Sequence, residues 1–139
     1  MKTGETSDNV EQNIVTYRSK EDKIDKLHNL LLEKEVLKTL VFDDTHRSVE
    51  RLAKELQQRG FETDAIHGGK SQSQRQRALK SFKDSKIKIL VATDVAARGI
   101  DVADITHVVN YSQPQSYGDY VHRIGRAGRA GRAGNALTF

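Results

Sequence analysis

Ile87–Asp101 reads IKILVATDVAARGID. Ile89 to Ala92 is an unbroken aliphatic run, and Thr93-Asp94 ends it. A short apolar run without polar alternation marks a strand covered on both faces, which is how parallel strands are built. The rest, DVAARGID, is polar and glycine-bearing, so the strand empties into a turn.

Working outward, the same alternation recurs. VEQNIVTYR (Val10–Arg18) is a strand, and Ser19–Glu35 is an amphipathic helix with Ile24, Leu27, Leu30 and Leu31 at helical spacing and an S-x-x-D start at Ser19 and Asp22. KTLVFDD (Lys38–Asp44) is a buried strand, and Thr45–Gly60 is a helix with Val49, Leu52, Ala53 and Leu56 inward and Gly60 as its stop. FETDAIHG (Phe61–Gly68) is a strand, followed by a helix over Ser71–Ser85 with a thin apolar face of Ala78, Leu79 and Phe82. After Ile87–Asp101 come a strand in ITHVVNYS (Ile105–Ser112), a short helix in SYGDYVHRIG (Ser116–Gly125) and a last strand in NALTF (Asn135–Phe139). The pattern predicts a three-layer α/β domain, with a mostly parallel sheet of about six strands and helices on both faces. In such sheets ligands gather beyond the carboxyl ends of the strands.

The chain has 139 residues, enough for one domain with a real core. No apolar run is long enough to span a membrane, and the first ten residues carry no apolar signal segment. Cysteine is absent, which removes disulfides and thiolate metal sites and is compatible with a cytoplasmic location. Residues 1–9 read as a disordered leader or cloning remnant, and 10–139 as one domain truncated at its C-terminal end, because the chain stops on a strand. The net charge is 23 − 19 = +4, and His122–Phe139 holds four arginines and no acid. Such a cluster suits a polyanion or a solvated basic surface.

Three stretches carry candidate chemistry. In VATDVAARGID, Thr93 and Asp94 stand at a strand end where a hydroxyl and N–H groups can meet phosphate; Gly99 permits close backbone approach and Asp101 can accept from a ribose, while the plain reading is an Asx turn. In AIHGGKSQSQR, a Gly68-Gly69 turn leads to a helix start capped by Ser71 with Arg75 one turn in, either a phosphate cradle or an ordinary turn. In HRIGRAGR, Arg123, Arg126 and Arg129 recur every third residue, and arginine is the bidentate, permanently charged partner for phosphate; a disordered Arg-Gly tail is the alternative. There is no G-x-x-x-x-G-K-[ST] phosphate loop, no Asp-Glu pair after an apolar strand to hold Mg²⁺, and no metal-ligand spacing among the five histidines.

Together these stretches resemble the second, C-terminal RecA-like domain of a DEAD-box ATP-dependent RNA helicase, over nearly all of Val10–Phe139. LVFDDTHR resembles motif IV, QSQR (Gln72–Arg75) the Q-x-x-R element, VATDVAARGID motif V and HRIGRAGR motif VI; His122 is similar to the DEAD-box branch, and HGGKSQ to a bacterial RhlE-like member. The resemblance implies arginine fingers at Arg126 and Arg129, ribose contacts at Asp101 and Gly99, RNA-backbone contacts at Arg75, Thr93, Gly68 and Gly69, and interdomain coupling by His122, Arg123, Asp94, Arg98 and Gln72. It implies ATP with Mg²⁺ held mainly by an N-terminal RecA-like domain outside this chain, RNA bound through its sugar-phosphate backbone regardless of sequence, and no membrane. The implied activity is RNA-stimulated ATP hydrolysis and unwinding of short duplexes, with this part inactive alone. The chain departs from the pattern in two ways: Ala127 stands where the family has Thr, putting a hydroxyl hydrogen bond in doubt, and Asp43-Asp44 make motif IV acidic. A stand-alone, non-catalytic RNA-binding or adaptor domain is the alternative, and a dinucleotide-binding enzyme is disfavoured by the lack of G-x-G-x-x-G after a strand.

Overall fold

A computed structural model describes residues 10–127 and 134–139. The elements run β1 (Val10–Ile14), α1 (Lys20–Leu31), β2 (Thr39–Phe42), α2 (His46–Gln58), β3 (Thr63–Ile66), α3 (Gln72–Lys83), β4 (Ile89–Ala92), α4 (Asp94–Ala97), β5 (His107–Asn110), α5 (Tyr117–Ile124) and β6 (Gly134–Thr138). Six strands form one sheet in the order β1-β6-β5-β2-β4-β3, and every pairing is parallel, so the sheet is wholly rather than mostly parallel. This matches the α/β architecture expected from the resemblance to a RecA-like domain.

Each central strand is buried on both faces because its residues alternate between two cores. Leu40, Phe42, Leu90, Ala92 and Val108 pack with Ala78 and Phe82 of α3, Ala96 and Ala97 of α4, and Ile124 of α5. Val41, Ile89, Val91 and Val109 pack on the other face with Leu27 and Leu31 of α1 and Val49, Leu52 and Leu56 of α2. The apolar run Ile89–Ala92 therefore supplies both layers from four residues.

The helix ends follow local chemistry. Ser71 Oγ accepts from Gln74 N–H, and Gln74 Oε1 accepts from Ser71 N–H, closing a capping box on α3 that includes the Q of S-x-x-Q. At α1, Ser19 Oγ accepts from Asp22 N–H, but the Asp22 carboxylate reaches back one residue further, to Arg18 N–H. Gly60 stops α2 with φ +95°: its N–H bonds Gln57 O and Phe61 N–H bonds Leu56 O, a paired C-terminal closure that needs left-handed backbone. Ser71→Ala is expected to cost about 1 kcal/mol in chemical denaturation, because the Gln74 amide loses its acceptor.

Three boundaries differ from expectation. β1 ends at Ile14 rather than Arg18, since its one neighbour among the described residues, β6, runs out at Thr138; Val15 N–H makes the last rung to Thr138 O. α1 ends at Leu31 rather than Glu35, as Leu31 is its last buried residue and Leu32 is exposed. Asp94–Ala97 is a single helical turn where a loop was expected. No helix among the described residues is long and apolar enough to cross a membrane.

Candidate functional site

Parallel pairing puts the ends of β2, β3, β4 and β5 on one edge of the sheet, so Asp43, His67, Thr93 and Tyr111 all emerge there. After β4 the chain crosses over β2, from the β3 side to the β5 side. Such a reversal of strand order opens a crevice. A cleft of about 220 Å³ lies in it, lined by Phe42 from β2, Asp94, Ala97, Arg98 and Gly99 after β4, and Asp119, His122, Arg123 and Arg126 from α5 and its exit.

Thr93 is buried and caps α4, its Oγ1 accepting from Ala96 N–H at 3.4 Å. Gly99 has φ +83°, and a Cβ built there would meet nothing within 4 Å. The left-handed backbone alone accounts for a glycine here, and the open space leaves the close backbone approach expected at Gly99 sterically possible. Arg98, Gly99 and Asp101 are all exposed on this loop.

The arginines of HRIGRAGR have separate fates. Arg123, on α5, is 1% exposed. It grips Asp94 with two bonds, Nε to Oδ1 at 2.6 Å and Nη2 to Oδ2 at 2.7 Å. Its Nη1 donates to Ser112 O at 2.8 Å, and its guanidinium lies over the Phe42 ring, 5.0 Å from the centroid. Asn110, fully buried at the end of β5, offers Oδ1 at 3.4 Å and ties β6 through Thr138 Oγ1. The Arg123–Asp94 pair therefore links α5 to α4 inside this domain. Arg126 follows the Gly125 cap, is half-buried, and donates from Nη1 to Ile100 O at 2.9 Å. Arg123 and Arg126 thus hold the two ends of the loop from Asp94 to Ile100. His122 is exposed beside them. Arg129 lies outside the described residues.

The second candidate group surrounds the turn after β3. Lys70 N–H bonds His67 O, placing Gly68 and Gly69 at the corner, both exposed. Gln72 is exposed at the first position of α3, and Arg75 is half-buried one turn later, its Nε buried without a hydrogen-bond partner among the described residues. Nearby, Lys70 Nζ meets Glu50 Oε1 at 2.8 Å, and that bond holds the Glu50 carboxyl below its ordinary range. The two acidic residues of LVFDDTHR do not face the Phe42–Arg126 cleft. Asp43 lines another, between α1 and α2, with Lys20, Lys23, Arg51 and Arg59, where burial pushes its carboxyl up.

The sequence pattern of the helicase conserved C-terminal domain family matches residues 22–131. The chain belongs to this family, in its DEAD-box branch. It is 43% identical over 122 residues to DEAD-box ATP-dependent RNA helicase 21 of Oryza sativa subsp. japonica, a match covering 88% of this chain and 16% of that protein. The helicase domain superposes on a DEAD box protein of Methanococcus jannaschii with a TM-score of 0.84 at 47% identity, covering 94% of this chain and 35% of the other. E. coli SrmB, solved with regulator of ribonuclease activity A, gives 0.85 at 38% identity, with 91% and 74% covered. S. cerevisiae Dbp5 bound to RNA and ADP BeF3 gives 0.87 at 32% identity, with 96% and 36% covered.

Within this helicase domain the Ala127 departure has a packing consequence. Ala127 is 1% exposed and sits in the α3–α5 core, so a threonine there would bring its hydroxyl into an apolar layer. Sequence reasoning missed Phe42 and Asp119 of the cleft, Asn110 and Ser112 behind it as partners of Arg123, and Glu50 beside the turn. Asn110 alone carried a signal, a polar residue closing the apolar strand HVVN.

Proposed function

We propose that this DEAD-box helicase domain supplies half of an ATPase site and part of an RNA grip, completed by an N-terminal RecA-like domain. The observation that carries this reading is the cleft charge. Its lining brings three arginines, Arg98, Arg123 and Arg126, and His122 together with two carboxylates, Asp94 and Asp119, and Arg123 pairs with Asp94. That lining fits a polyphosphate edge presented by a facing domain. Bound ATP supplies the phosphoryl group whose transfer to water drives the cycle. Arg126 and Arg129 hold charge on the terminal phosphate, and Asp101 with the Gly99 backbone meets the ribose. Mg²⁺ accompanies ATP and would be held mainly by the facing domain. Arg75, Thr93 and the Gly68-Gly69 turn meet the RNA backbone, with Arg75 Nε a donor still needing an acceptor. His122, Arg98 and Gln72 are exposed where a second domain would close, and Arg123 and Asp94 act on coupling by fixing the start of the Asp94–Ile100 segment.

The test is an ATPase assay of the chain alone and of the chain joined to its cognate ATP-binding domain. The chain alone should show background turnover, and the joined protein turnover that rises with RNA. ATP hydrolysis by the chain alone at the joined protein's rate would refute the shared-site reading.

RNA affinity of the joined protein should fall steeply with salt and vary little with sequence, because phosphate contacts dominate. Arg75→Ala should lower the slope of log affinity against log salt by about one. An unchanged slope in that variant would remove Arg75 from the phosphate contacts.

A further inference from the structure

Gly68 and Gly69 invite the ordinary explanation for glycine in a turn, a positive φ. Neither has one: among described glycines only Gly60 and Gly99 do. The space around them gives another reason. A Cβ on Gly68 would stand 3.1 Å from His46 Nε2, and one on Gly69 3.0 Å from His67 Cε1 and 3.1 Å from its Nδ1. The two imidazoles are stacked, with centroids 4.8 Å apart and planes 24° off parallel, directly against the turn. The glycines are there because the imidazole pair fills the room a side chain would take.

His67 is the fixed member of the pair. It is 7% exposed and follows β3. Gly69 N–H donates to its Nδ1 at 3.0 Å, so Nδ1 is the acceptor nitrogen and the ring proton sits on Nε2. That Nε2–H faces Glu50 Oε1 of α2 at 2.9 Å. The same Glu50 oxygen receives Lys70 Nζ. The turn is therefore tied three times: by Lys70 N–H to His67 O, by Gly69 N–H to His67 Nδ1, and by Lys70 Nζ to Glu50.

We propose that His67, oriented by Glu50, is a positioning residue that holds the Gly68-Gly69 turn in its RNA-binding shape before RNA arrives. This rests on the reading that the turn meets the RNA backbone. His67 itself need not touch RNA. By taking the Gly69 N–H inward, it fixes which face the turn presents, and RNA binding then costs less ordering of the loop.

Two substitutions separate the ring's two nitrogens. The Asn side-chain oxygen can stand where Nδ1 stands, and the Gln side-chain amide where Nε2 stands. His67→Asn therefore keeps an acceptor for Gly69 N–H, whereas His67→Gln keeps only the bond to Glu50. The experiment is an amide NMR titration of this chain with single-stranded oligouridylate, following the Gly68 and Gly69 signals, with amide exchange of Gly69 measured without RNA. The parent turn should respond to RNA. His67→Asn should bind within about twofold of the parent with a protected Gly69 amide, and His67→Gln should bind roughly five- to tenfold more weakly with an unprotected one. If His67→Gln does not fold, Glu50→Ala takes its place, and roughly threefold weaker binding is expected. Equal affinity in the parent and the Gln or Ala variant would overturn the positioning role and leave the RNA-binding turn standing. Equal weakening by Asn and Gln would assign the effect to ring packing and overturn it too. Turn signals that RNA leaves unmoved in the parent would overturn the RNA reading itself, and the proposal with it.

Discussion

Arg126→Ala, in this domain joined to its ATP-binding domain, is expected to cut RNA-stimulated ATP turnover by roughly 10³–10⁵-fold, the scale of a lost arginine finger. The size follows from where charge develops. A planar, permanently charged guanidinium aimed at a transferring phosphate acts mainly in the transition state. Arg126 is suited to such a role because it is anchored without being buried: Nη1 rests on Ile100 O, and the residue stays half-buried at the cleft. Its removal should leave the fold nearly intact, with a stability change of about 1 kcal/mol for the lost bond to Ile100 O. Arg126→Lys keeps the charge but not the fork, and should recover only a small part of the rate. Unfolding of Arg126→Ala at the temperature of the assay would make the loss structural and contradict the assignment.

Asp94→Ala should have the largest effect on stability, about 3–5 kcal/mol in denaturant unfolding. The reason is asymmetric burial. Arg123 is 1% exposed, and Asp94 provides both of its short charged bonds; the Asp94 side chain is 32% exposed. Removing the carboxylate leaves a buried cation with Ser112 O, a long contact to Asn110 and the face of Phe42. Removing the cation instead leaves a carboxylate that water can reach. Arg123→Met, which also keeps most of the volume, should therefore cost less than Asp94→Ala. A loss under about 1 kcal/mol in Asp94→Ala would mean that the pair does not hold α5 to α4.

Much of the architecture could be read before any coordinates, for a physical reason. Parallel strands buried on both faces are apolar end to end, so ILVA and TLVF announce themselves, and the helices between carry periodic faces and caps such as Ser71 and Gly60. Element ends were less legible because partners set them: β1 stops where β6 stops, and nothing in VEQNIVTYR says so. α4 was invisible because one helical turn has too few residues for a period. The site divides along the same line. Spacing placed Arg123, Arg126 and Arg129 together but could not say which of them faces inward. That depends on α5 ending at Ile124, on a carboxylate 29 residues earlier in the chain, and on Phe42 and Asn110 from other strands. Gly68, Gly69 and Gly99 were found as glycines, yet their causes differ. Gly99 serves a positive φ, whereas Gly68 and Gly69 make room for two histidine rings, whose spacing in the sequence carried no signal of that role.

The account centres on arginine donated by this domain to a phosphate held by another. The most direct measurement is single-turnover ATP hydrolysis by the joined protein at saturating RNA, parent against Arg126→Ala, with ATP affinity measured separately on each. The account predicts a hydrolysis rate lower by roughly 10³-fold or more, with ATP affinity changed less than about tenfold. An unchanged hydrolysis rate, or a loss carried wholly by ATP affinity, would contradict it.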